Sequence, residues 1–189
     1  MIIRFYPKLA IIVCVAVAGL SGSKKLALSQ SVVEEKIAPI DWDRAASDAD
    51  RTTSIAPALN TFRANNSAEL SAIRLPVLMP NTKVVEGSPR IRGQGNSYVA
   101  AYTLPGAKLS ILGTSVFLTR PDDQTYAQSP SGSNRVFDRS EDGSDLTFIK
   151  YGASYVLRLS CAKREDERCN KDTFLNTVAD NLLVVGGKK

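Results

Sequence analysis

The clearest hydrophobic pattern lies near the C-terminus. In Ala153-Ser-Tyr-Val-Leu-Arg-Leu-Ser-Cys161, the side chains of Ala153, Tyr155, Leu157, Leu159 and Cys161 point one way and those of Ser154, Val156, Arg158 and Ser160 the other. This period-two alternation predicts a strand with one buried face. After a charged loop over residues 162–168 the period changes. Phe174, Leu175, Val178, Ala179 and Leu182 fall at helical spacing, and Asn170 or Asp172 supplies a cap. The apolar tail Leu182-Leu-Val-Val-Gly-Gly follows.

The same patterning continues upstream. Asn96-Ser-Tyr-Val-Ala-Ala-Tyr-Thr-Leu104 reads as a strand, Pro105-Gly106 as the centre of a type II turn, and residues 107–112 as the antiparallel return. Gly113 reads as a second bend and residues 114–119 as a third strand. A polar loop is expected over 121–134, a short strand at Phe137, a turn at Asp142-Gly143, and a strand over 146–151. Ile73-Arg-Leu-Pro-Val-Leu-Met-Pro80 is apolar but broken by prolines, which suits an edge strand or an extended packing segment. Residues 30–66 carry few strand signals and many Ala, Ser, Asp and Thr. The lone tryptophan, Trp42, is expected to dock on the domain.

Together these elements predict an α+β fold. It is an antiparallel β-meander of about five to six strands with a C-terminal helix packed on one face. The expected organisation is a signal peptide over 1–29, then a linker or loosely ordered arm over 30–70 with a candidate short helix over 55–63. A single α+β domain follows over 71–187.

The signal reading rests on Arg4 and Lys8 ahead of an uncharged apolar run over 9–20, with small residues after it. That run is shorter than the ~20 apolar residues of a spanning helix. Cleavage after Ser23 or after Ser29 satisfies the small-x-small rule, and an uncleaved N-terminal anchor is the alternative. Removing 1–29 takes away Arg4, Lys8, Lys24 and Lys25 and no acid, so the formal charge falls from +5 to +1. The basic character therefore gives no support to nucleic-acid binding, which needs clustered positive charge on the folded domain. Cys161 and Cys169 remain after cleavage, and an even pair in an oxidising compartment is expected to form a disulfide.

The chain has no histidine, which removes Ser-His-Asp and Cys-His chemistry and any histidine-ligated zinc. Ser160-Cys-Ala-Lys163 matches S-x-x-K, but Ser160 ends a strand and the companion S-D-N and K-T-G segments are missing. Asp138-Arg-Ser-Glu-Asp-Gly143 begins like a calcium loop, but Ile149 stands where the bidentate acid belongs. It reads as a polar hairpin turn, with weak cation binding by Asp138, Asp142 and Asp145 as the residual expectation. Arg90 and Arg92, beside Gly93-Gln-Gly95, are candidate anion ligands or else solvated arginines. Tyr98, Tyr102 and Tyr155 are expected in the core, or, if solvent-facing, on a face for sugar or peptide.

The reading these residues support is an exported, periplasmic, non-enzymatic envelope protein. It would act as a binding or accessory interaction module for another envelope protein or a small ligand, with no cofactor, metal or nucleic acid and with the membrane touched only through the export signal. One alternative is a carrier with a small ligand in a sheet–helix pocket. Another is a serine-type hydrolase without histidine, using Ser160 and Lys163.

Overall fold

The computed structural model describes residues 34–55, 58–87, 89–119 and 135–189. The expected signal peptide and the polar loop over 121–134 lie outside these residues. The elements in chain order are β1 (Glu34–Ile37), α1 (Trp42–Ile55), α2 (Ala58–Asn65), α3 (Ser67–Ser71), β2 (Val77–Pro80), β3 (Arg90–Gln94), β4 (Ser97–Leu104), β5 (Ala107–Thr114), β6 (Val116–Thr119), β7 (Val136–Ser140), β8 (Gly143–Lys150), β9 (Ala153–Cys161), α4 (Glu167–Asn170), α5 (Thr173–Asp180) and β10 (Leu182–Gly186).

The fold is α+β. Its centre is a six-stranded antiparallel sheet in the order β3-β4-β5-β9-β8-β7. Strict alternation builds it. Ala153, Tyr155, Leu157 and Leu159 of β9 are buried, as are Tyr98, Ala100 and Tyr102 of β4 and Leu109 and Ile111 of β5. Each large apolar side chain so buried contributes about 1.5–3 kcal/mol of transfer free energy.

The strand order departs from a simple meander. β3-β4-β5 and β7-β8-β9 are two separate meanders, joined where β5 runs antiparallel to β9. The segment expected as a third strand after β5 leaves the sheet and pairs with β1 instead. Gly113 makes no bend. It stays in β5, opposite Tyr98 on one side and Tyr155 on the other. A Cβ there would lie 2.4 Å from the Tyr98 ring and 3.1 Å from the Tyr155 ring, so the glycine clears space for two aromatics.

A second layer covers the inner face. The proline-broken segment forms β2, which pairs with the apolar tail, β10, in a two-stranded ribbon. Two tyrosines latch this ribbon to the sheet. The Tyr98 hydroxyl accepts the Leu78 N–H at 2.8 Å, and the Tyr155 hydroxyl donates to the Pro76 carbonyl at 2.8 Å. α5 packs against β8 and β9 through Leu175, Val178 and Ala179. Leu182, assigned by spacing to the helix, starts β10 instead.

The stretch 30–70, expected as a linker or loosely ordered arm with one short helix, holds α1, α2 and all but the last residue of α3. The Asp41 carboxylate accepts the Arg44 N–H and caps α1. α1 then lays a stripe of Trp42, Ala45 and Ala49 on the core and meets β10. Leu59, Phe62 and Leu70 of α2 and α3 are buried. Arg63 donates to the Val184 and Val185 carbonyls of β10 at 2.8 and 2.9 Å.

Cys161 and Cys169 form a disulfide, with Cα atoms 6.3 Å apart. It joins the end of β9 to α4. Asp166 caps α4, and Arg168 reaches from there to the Pro105 carbonyl in the β4–β5 turn.

Candidate interaction face

The alternation that fills the inner face leaves an outer face, and the strand registers order it into rows. One row runs Arg92, Val99, Leu112, Val156, Thr147, Val136 across all six strands. Directly opposed residues of neighbouring strands lie on the same face about 5 Å apart, so the stretch from Val99 to Val136 makes an apolar stripe about 20 Å long. Leu112, next to its Val99 end, is 37 % exposed and Val136 at its other end 63 %. The face is open to solvent on both halves, with Ala101, Thr103, Lys108, Arg158 and Asp138 also exposed.

The next row runs Arg90, Ala101, Ser110, Arg158, Asp145, Asp138. Arg158 holds Asp145 through two charge-assisted bonds of 2.8 and 2.6 Å. That hydrogen bonding raises the already high Arg158 pKa. Asp138 accepts the backbone N–H of Arg139 and stays exposed. The β3–β4–β5 half of the face therefore carries Arg90, Arg92 and Lys108 without an acid, while the far half ends on Asp138.

Arg90 and Arg92, the candidate anion ligands, stand side by side on edge strand β3, both exposed. The three candidate cation ligands are spread apart in role. Asp145 is taken by Arg158, Asp138 is its cross-strand partner, and Asp142 sits in the β7–β8 turn. Among the described residues, no group of three or more His, Cys, Asp or Glu side chains could hold a metal ion.

Asp142 lines a surface hollow of about 270 Å³ with Glu141, Arg139, Lys163 and the disulfide. Ser160 lies on the outer sheet face, in register with Lys108 and Gly143, while Lys163 lines the hollow beside the disulfide. A second hollow, of about 630 Å³, is lined by Ser71, Arg74, Gln94, Lys188 and Lys189. Between α5 and the sheet, the space is filled by Leu146, Leu157, Leu159, Leu175 and Val178, each at most 1 % exposed.

Tyr98, Tyr102 and Tyr155 all face inward, so they are core residues and contribute nothing to the outer face. Burial raises the pKa of each hydroxyl well above that of free tyrosine. The residues that sequence reasoning passed over are Val99, Leu112, Val156 and Val136. Their signal was present in the alternation itself, because each is an apolar side chain on the polar side of its strand.

No family model matches the chain, and the searches of curated proteins and of solved structures gave no significant match either.

Proposed function

We propose that this is an exported, periplasmic, non-enzymatic protein that works as an interaction module through the outer face of its sheet. The observation that carries the reading is the apolar stripe from Val99 to Val136, left open while the inner face of the same sheet is filled. Antiparallel sheets commonly keep one face in water, and such faces are normally polar. A mostly apolar row, interrupted by Thr147 and flanked by charge, has the anatomy of a protein-binding patch, with an apolar centre and a polar rim. The lack of histidine supports a role without Ser-His-Asp or Cys-His chemistry. The oxidised Cys161–Cys169 pair fits an exported chain.

The test is position-specific photo-crosslinking in the cells that make the protein. A benzophenone side chain replaces Leu112 on the face, or exposed Thr177 on α5 as the control. Discrete adducts from position 112 and none from 177 are expected. No adduct from 112, or equal yields from both, contradicts the reading. Mass spectrometry of the exported chain should find its first residue between Lys24 and Gln30, whereas a soluble cytosolic chain starting at Met1 refutes export.

A further inference from the structure

We propose that the partner of this face is a second copy of the chain, in a two-fold sheet-on-sheet pair whose axis runs along the strands between β5 and β9. The inference rests on the interaction reading above and names its occupant.

The sheet has three strands on each side of the β5–β9 seam. A two-fold axis along that seam lays β3 over β7 of the second copy, β4 over β8, and β5 over β9. The rows then meet themselves reversed. In the charged row, Arg90 comes over Asp138 of the second copy, and Ser110 over Arg158. In the apolar row, Leu112 comes over Val156 and Val99 over Thr147. Every contact occurs twice, as an isologous interface requires. Stacked sheets cross at about 30° and stand ~10 Å apart, and an arginine is long enough to span the offset this twist introduces.

The ends of the charged row fit this occupant. One half of the face is purely basic through Arg90, Arg92 and Lys108, and the other ends on Asp138, because Asp145 is already taken by Arg158. A uniformly anionic partner, such as a nucleic acid or an acidic membrane, meets repulsion at the Asp138 end. A second copy turned about the seam sets Arg90 of each copy over Asp138 of the other, with Arg92 over Val136 and Lys108 over Ser160. Size agrees as well. Four central strands of eight or nine residues and two edge strands of five, at ~4.8 Å spacing, give a face of roughly 700 Å² in projection, close to the ~800 Å² per partner of a standard stable interface.

Sedimentation equilibrium of the purified full chain tests the proposal. A reversible dimer with a dissociation constant below roughly 100 µM is expected. Leu112→Glu, which sets a carboxylate against Val156 of the second copy, should weaken it at least about tenfold with an unchanged circular dichroism spectrum. Arg90→Asp and Asp138→Arg should each weaken it by about tenfold, and the double variant should recover most of that loss, because the swapped pair re-forms in both halves. A chain that stays monomeric above that range, a dimer indifferent to Leu112→Glu, or a double variant no tighter than the singles overturns the proposal. The crosslink at position 112 separates its failure from failure of the interaction reading. An adduct whose mass is not that of two chains removes the second copy as occupant and keeps the face as an interaction site. No adduct removes both.

Discussion

Tyr155 shows how single atoms hold the two layers together. Its hydroxyl crosses the core to the Pro76 carbonyl, and its ring lies 5.6 Å from the Phe148 ring in a stacked arrangement. Tyr155→Phe keeps the ring and removes the donor, leaving that carbonyl unsatisfied. The variant should lose about 1–3 kcal/mol in urea unfolding; an unchanged midpoint would mean that the latch contributes nothing. Four tyrosines also set a pH limit. Burial raises the pKa of Tyr98, Tyr102, Tyr151 and Tyr155, with the Asp48 hydrogen bond adding to the shift at Tyr151. Groups raised in the folded state contribute stability that is full below the unfolded value of ~10 and is lost as pH climbs from there toward the folded values. In a Tyr6→Phe, Tyr126→Phe background, tyrosinate absorbance should therefore appear only as the chain unfolds above pH ~10. Ionisation of these hydroxyls with the fold intact contradicts the burial account.

Among the elements, β9 was legible residue by residue, because a strand with one fully buried face alternates without exception from Ala153 to Leu159. α5 was legible for the same reason at helical period. α1 was not, because its buried stripe is made of Ala45 and Ala49 beside a single tryptophan, and alanine marks no period strongly. Gly113 misled for a non-local reason. A glycine in a strand reads as a bend, but here it accommodates rings brought in from β4 and β9. The pairing of β5 with β9 and the departure of β6 are likewise long-range choices that no local pattern encodes. Packing of α1 by alanine has a consequence. Ala45→Leu should cost about 1–3 kcal/mol by overfilling the contact with β10. A neutral result would show that the helix is not docked. The disulfide closes a short loop with a sequence separation of 8. Replacing Cys161 and Cys169 together by serine should lower stability by about 2–3 kcal/mol while the strand signal in circular dichroism persists; loss of that signal would show that the sheet depends on the bridge.

For the whole molecule, the division of the sheet into a filled face and an open one matters most. The candidate residues read from sequence, Arg90, Arg92, Asp138 and Asp145, come to lie on the open face, and only the registers of six strands bring them into rows. Each residue of the Val99–Val136 stripe showed in its own strand's alternation, but only the registers bring Val99, Leu112, Val156 and Val136, with Thr147 among them, into one row. The account stands or falls on that face being free of the chain's own core. The direct measurement is the unfolding free energy of Leu112→Glu beside that of Leu157→Ala, taken at a protein concentration where the chain is monomeric. The two positions are neighbours in sheet terms, one on each face. Leu157→Ala should cost about 2–5 kcal/mol, as a core truncation does. Leu112→Glu should shift stability by less than about 1 kcal/mol, as an exposed substitution does. A Leu112→Glu penalty as large as that of Leu157→Ala would mean that the chain covers its own outer face, and would contradict the interaction role built on it.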